Sequence, residues 1–108
     1  MKEQEIVKAI LEWLTYKKIF HYRNNTGAMV SEYKGKKRFM RFGSLGSPDI
    51  IVFKKSDQGA IAIALEVKRD EKAKQTESQK QWQDDFETKA NGKYLLVHSI
   101  AEIESALI

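Results

Sequence analysis

The chain has 108 residues, 42% apolar and 31% charged, with 19 Lys and Arg against 15 Asp and Glu; this suits one domain, residues 1–108, with a modest core and excludes a disordered chain. No apolar run approaches the roughly 20 residues that span a bilayer, and Met-Lys-Glu-Gln-Glu at the amino end lacks a signal-peptide layout, so a cytoplasmic location is expected. The absence of cysteine excludes disulfides, thiolate nucleophiles and cysteine-based zinc sites, and His21 and His98 are too far apart to form a metal-binding motif.

Residues 3–18 read as an amphipathic helix. At 100° per residue, Ile6, Val7, Ile10, Leu11, Trp13 and Leu14 form one apolar arc. Glu3 falls near the centre of that arc, whereas Glu5 and Glu12 fall opposite. An acid aimed inward one turn ahead of the core is a candidate metal or water ligand; a frayed first turn with Glu3 on the positive helix end is the alternative.

Ile19 to Asn24 alternates and is aromatic-rich, which predicts a strand, and Asn24-Asn-Thr-Gly27 predicts a turn. Ala28–Tyr33 and Lys37–Phe42 read as two further strands around a turn at Gly35-Lys36. Arg23, Asn25 and Thr26 are candidate phosphate or active-site contacts, although a turn uses Asn and Gly for shape alone. Residues 43–47 are too irregular for a strand, and Pro48 biases Ser47 toward an extended conformation. The glycines here permit close approach of a phosphate backbone, with Ser44 and Ser47 as candidate contacts, but no nucleotide-binding glycine fingerprint occurs.

The stretch from Gly46 to Lys68 organises the rest. It reads as two strands joined by a turn through Asp57, Gln58 and Gly59, with Asp49 opening the first strand and Glu66 and Lys68 closing the second. A period of two places Glu66 and Lys68 on one face with Ala60, Ala62 and Ala64, whose small size admits a close-packed helix. Ile61, Ile63, Leu65 and Val67 share the other face and are expected in the core. Two acids and a lysine thus meet at one end of a buried hairpin, where ionised groups need partners and a divalent cation is a natural one.

A polar linker, 69–75, leads to Thr76-Glu-Ser-Gln79, a capping-box pattern. The helix is expected to run to about Asn91 with Gly92 as its C-cap, burying Trp82, Phe86 and Ala90. Gln79 lies on the inward side, so capping and a site role compete for it. Tyr94–His98 reads as a strand internal to the sheet, and Ser99-Ile-Ala-Glu102 as a second capping box that starts a last short helix. The order of elements predicts an α/β domain around a mixed sheet. Two basic windows, Lys34, Lys36, Lys37, Arg38 and Arg41, then Lys68, Arg69, Lys72 and Lys74, flank the acids in sequence, a layout suited to a polyanion. A solvated basic surface is the plainer reading.

Pro48-Asp49, sixteen residues, then Glu66-Val-Lys68 resembles the Pro-Asp…(Asp/Glu)-x-Lys signature of restriction-endonuclease-like nucleases. More narrowly, Arg23-Asn-Asn-Thr-Gly-Ala28, Gly46-Ser-Pro-Asp-Ile50, Glu66-Val-Lys68 and Ser78-Gln79, taken in order, resemble the VRR-NUC (virus-type replication-repair nuclease) domain across nearly the whole chain. The resemblance implies a minimal nuclease domain that hydrolyses phosphodiester bonds in DNA, with Mg2+ or Mn2+ held by Asp49 and Glu66. It further implies that Lys68 orients water or stabilises charge, that Gln79 supports the site, and that a helix-borne acid, best matched by Glu3, completes it. Stand-alone members resemble Holliday-junction resolvases, so branched substrates and a homodimer are implied. The hard-oxygen chemistry of Mg2+ is met by two carboxylates and a backbone carbonyl, for which Val67 is the candidate. A non-catalytic DNA-binding module of the same fold, and a nuclease acting on RNA or free ends, remain alternatives. For a dimer the candidate surfaces are Leu107-Ile108 and the region from Met29 to Met40.

Overall fold

The computed structural model describes residues 2–24, 27–42 and 44–107, and of 27–31 and 39–42 the backbone alone. The alternating residues of the central stretch form β4 (Ile50–Ser56) and β5 (Gly59–Val67), an antiparallel hairpin whose Ser56 and Gly59 pair directly, so the turn itself is Asp57-Gln58. β1 (Phe20–Arg23) adds antiparallel to the outer edge of β4, and β6 (Lys93–Val97) adds parallel to β5. The mixed sheet has the order β1-β4-β5-β6. β6 is therefore an edge strand rather than an internal one. It reads as apolar because Tyr94 and Val97 are buried on opposite faces, while among the described residues its far edge carries no strand.

Helices cover both faces. On one, α1 (Glu3–Tyr16) and α3 (Ile100–Leu107) pack Ile6, Val7, Ile10, Leu14, Ile103 and Leu107 onto Ile50, Val52, Ile63, Leu65, Val67 and Val97. Burying each such side chain contributes about 1.5–3 kcal/mol, so this cluster dominates the stability of the domain. On the other face, α2 (Glu77–Lys89), the crossover between the parallel strands β5 and β6, sets Trp82 and Phe86 on Ile51, Ala64 and Tyr94. Of the three alanines expected under a helix on this face, Ala64 is buried beneath α2, whereas Ala60 is exposed. Ile61 is 44% exposed and Ala90 is also exposed, against expectation; Ala90 is the C-cap of α2, past its last helical residue Lys89.

Local chemistry sets the ends of these elements. α1 stops at Tyr16, two residues early, because Lys18 takes a left-handed conformation (φ 60°) and turns the chain toward β1. At the end of α2 the left-handed residue is Asn91 (φ 57°), not Gly92; Gly92 is required instead for space, since a Cβ there would collide with the Phe86 ring. Glu102 does not close a capping box on Ser99: it accepts from the His98 amide at 3.2 Å and contacts the His98 ring. Leu107 is buried against the chain's own core and offers no surface for a second copy; Ile108 and the side chains at Met29 and Met40 lie outside the described residues. Among the described residues no helix is long and apolar enough to cross a membrane.

A separate hairpin, β2 (Gly27–Tyr33) and β3 (Lys36–Phe42), forms its own two-stranded sheet. Its turn is Lys34-Gly35, one residue earlier than expected, with φ of 53° and 76°, the conformation that two-residue hairpin loops favour. Among the described residues no element of the body packs extensively against it, and the domain measures 54 × 33 × 28 Å. The exposed Lys34, Lys36, Lys37 and Arg38 lie in the outer half of this arm, from about 14 Å (Arg38) to about 20 Å or more from its root by strand rise.

Candidate active site

The hairpin register brings Asp49 and Glu66 together. Ile50 pairs with Leu65, so Asp49 and Glu66 are the next residues outward at the same sheet end. Asp49 is held from three directions: its amide donates to the Leu65 carbonyl (3.1 Å), its carbonyl accepts from the Asn24 amide (2.8 Å), and its Oδ2 accepts from the Val67 amide (2.7 Å). Asn24 also donates from its side chain to the Pro48 carbonyl (2.9 Å). Asn24 thus clamps the Pro48-Asp49 step, a role missed in the sequence, where it reads only as a turn residue.

Glu66, 4% exposed, points to the α2 side of the sheet. Gln79 Nε2 donates to Glu66 Oε1 (2.9 Å), and Gln79 Oε1 accepts both from Lys68 Nζ (3.1 Å) and from the Thr76 amide (2.9 Å). The Thr76 hydroxyl accepts in turn from the Gln79 amide (3.2 Å), which completes the capping box. Capping and site support, alternatives in the sequence, are performed by the same side chain. Lys68 Nζ stands 3.8 Å from Glu66 Oε1.

The loop before Asp49 reaches this cluster through Gly46. Ser47 closes a turn by donating its amide (3.1 Å) and hydroxyl (2.7 Å) to the Ser44 carbonyl, and Gly46 takes a φ of 81°. A Cβ on Gly46 would collide with the Ser78 carbonyl and lie 2.9 Å from the Gln79 amide nitrogen. The close approach this glycine permits is to the first turn of α2, not to a phosphate backbone.

Two acids in one half-buried corner disfavour their charged forms. Burial, then the neighbouring Asp49 charge, pushes the Glu66 carboxyl up to about 8, with Lys68 opposing and Glu3 adding to the rise. Burial also raises Asp49, with Glu3 adding, while the Val67 amide, Lys68 and Arg23 pull the other way. Glu3 is exposed, not buried as its place in the apolar arc implied, but its Oε1 accepts from the Arg69 amide at 3.3 Å and its charge reaches both acids.

Glu66 Oε2 is buried without a hydrogen-bond partner among the described residues. A buried carboxylate oxygen left open, beside a second carboxylate, fits a hard divalent cation, whose charge would offset the repulsion. Among the described residues no three His, Cys, Asp or Glu side chains approach closely enough to enclose an ion. Further positions would therefore fall to water and substrate oxygens, the mode Mg2+ favours. Val67, the expected carbonyl donor, contributes its amide to Asp49.

The predicted nucleic-acid contacts are spread more widely. Arg23 acts on Asp49 electrostatically, and Arg69 follows Lys68 and pairs with Asp70 at 3.5 Å. Lys72 and Lys74 are exposed on the linker to α2. Lys36, Lys37 and Arg38 are carried away from the acids on the arm. Asn25, Thr26 and the Arg41 side chain lie outside the described residues.

Fold and site together define a mixed α/β domain with an acid–acid–lysine cluster at one end of its central hairpin. Comparison of the chain with protein-family models, with curated proteins and with solved structures returns no match.

Proposed function

We propose that this chain is a metal-dependent DNA endonuclease of restriction-endonuclease-like architecture and VRR-NUC type. The observation that carries this reading is the buried Glu66 carboxylate with one oxygen unpartnered, set beside Asp49 and bridged to Lys68 through Gln79. A scaffold has no use for such a cluster, whose acids oppose each other's ionisation. In this reading Asp49 and Glu66 hold Mg2+ or Mn2+, with Glu3 and the Val67 carbonyl as further candidates, and the ion supplies Lewis-acid polarisation of the scissile phosphate and acidification of water.

The residues themselves divide the remaining work. Gln79 fixes the Lys68 ammonium beside Glu66, from where Lys68 faces the phosphoryl oxygens and offsets the charge that grows on them. The Asn24 clamp and the Val67 amide keep Asp49 at a set position on the strand end. Attack of water forms the new P–O bond as the bond to the sugar oxygen breaks; the water's proton passes to solvent, and the departing sugar oxygen takes a proton from solvent to leave as a hydroxyl. Arg23, Arg69, Lys72 and Lys74 provide positive charge near the acids, and Lys36, Lys37 and Arg38 provide it at a distance. That separation suits a branched substrate with more than one duplex arm, on which paired cuts would call for two copies of the chain.

The test is incubation with linear, supercoiled, flapped and four-way-junction DNA, with and without Mg2+ or Mn2+. Cleavage that requires metal and disappears in Asp49→Asn and Glu66→Gln is the expected result. No metal-dependent cleavage of any substrate would overturn the assignment.

A further inference from the structure

The sheet face that carries Glu66 is only partly covered. α2 lies along β6 and buries Tyr94 and Ala64, but over β1 the aromatic side chains are open: Phe20 is 73% exposed and Tyr22 50%. Phe53 of β4 lies between them, edge-on to Phe20 with ring centroids 5.7 Å apart and stacked with Tyr22 at 6.2 Å. An open cavity of about 550 Å3 bounded by Phe20, Phe53, Lys55 and Ala60 continues this strip. The register aligns it with the site. Tyr22 pairs with Ile51 and Phe20 with Phe53, so the rungs run outward from Asn24 and Asp49 to Tyr22, then to Phe20 and Phe53, then to Lys55. Successive same-face rungs lie about 6.8 Å apart, close to the span of one stretched nucleotide.

We infer that Phe20, Tyr22 and Phe53 form a stacking platform for the unpaired bases of single-stranded DNA that leads into the acid pair. This rests on the nuclease reading and narrows its substrate to DNA with an unpaired segment beside the cut. Three observations favour this occupant over a second copy of the chain. The rings continue directly from Asp49 along the same strands. Lys55, on the same face as the rings, closes the strip at the end away from the acids, where a phosphate would pass. The apolar area is three rings wide, narrow for an interface core but matched to two or three bases. Base faces are hidden inside a duplex, so only unpaired nucleotides reach these rings.

The experiment measures binding, not cleavage, in chelator, using fluorescence anisotropy with a labelled 15-nucleotide oligothymidine and a 15-base-pair duplex at one salt concentration. Phe20→Ala and Tyr22→Ala should each weaken single-strand binding by about ten-fold or more, the worth of one stacked base. Tyr22→Phe should retain binding, and duplex affinity should stay within about two-fold in all three, since it depends on phosphate contacts. Both side chains are exposed, and unchanged circular dichroism and melting would show that each variant is folded. Equal losses on both ligands, or no loss on either, would overturn the inference. So would a variant that abolishes self-association in light scattering while single-strand binding is unchanged, since the face would then join two copies. Because this assay reads binding and the incubation with metal reads cleavage, a protein that cuts but does not stack, and one that stacks but does not cut, are told apart by the two together.

Discussion

The Gln79 side chain joins the start of α2 to Glu66: its Oε1 accepts from the Thr76 amide and Lys68 Nζ, and its Nε2 donates to Glu66 Oε1. Helix initiation and the state of the acid therefore share one residue. Gln79→Ala removes half of the capping box and should cost about 1 kcal/mol, a fall of roughly 4–8 °C in melting temperature. Gln79→Glu keeps the acceptors for Thr76 and Lys68 but replaces the donor to Glu66 with a second negative charge. Its melting temperature should match the wild type near pH 5 and fall below it by pH 8. Parallel curves for the two proteins across that range would contradict the contact.

A pH dependence follows from Glu66. Its carboxyl, about 4.5 in the unfolded chain, is raised to about 8 in the fold by burial first and by Asp49 second. Between those values the native state binds the extra proton, so stability falls as pH rises, by at most about 1.4 kcal/mol per pH unit for one group. The contribution is fully present below pH 4.5 and gone above pH 8, and burial of Asp49 acts in the same direction. Without metal, melting temperature should drop from pH 5 to pH 8.5, and Glu66→Gln should flatten the curve. Saturating Mn2+ should raise the melting temperature more at pH 8 than at pH 5.5, because ionised acids bind it. An Mn2+ effect independent of pH, or unchanged Mn2+ affinity by calorimetry in both Asp49→Asn and Glu66→Gln, would remove these acids as ligands.

The first turn of α1 separates its two glutamates. Glu3 accepts from the Arg69 amide and its charge acts on both Asp49 and Glu66, whereas Glu5 lies beside Lys2, Arg69 and Asp70 away from the acids. Glu3→Gln should lower metal affinity and cleavage by about ten-fold or more, roughly one charge-assisted contact. Glu5→Gln should leave both within about two-fold. Equal effects would show that Glu3 only holds the Arg69 amide.

Gly46 sits where its backbone meets the first turn of α2. Gly46→Ala combines a left-handed alanine with a collision against the Ser78 carbonyl and should destabilise the fold by about 2 kcal/mol or more. Leu45→Ala next to it removes a 62% exposed side chain and should change the melting temperature little. Similar melting of the two variants would show that the loop relaxes away from α2.

Much of this arrangement is legible in the residues alone. Alternation from Ile50 to Val67 specifies a hairpin, and period two puts Glu66 and Lys68 on one face with Ala64 beneath a helix, because side-chain direction along a strand is a local property. The Thr76-to-Gln79 spacing specifies the cap for the same reason. The mixed α/β class follows from the order of these local signals.

What lies at the other end of a contact was decided only by tertiary structure. Periodicity reports which side a residue faces, not whether anything covers that side. Ile61 and Ala90 are therefore exposed, β6 is an edge, and Phe20 and Tyr22 lie open beside the site. The basic residues from Lys34 to Arg38 are close to Asp49 in sequence, but pairing of β2 with β3 carries them along an arm away from it. The same holds for Asn24, whose clamp on Pro48 and Asp49 spans two strands, and for Gly46, whose missing side chain makes room for Ser78. Both residues act on partners 24 to 32 positions away, a distance that only chain folding closes, since local rules extend no further than a turn or a strand rung.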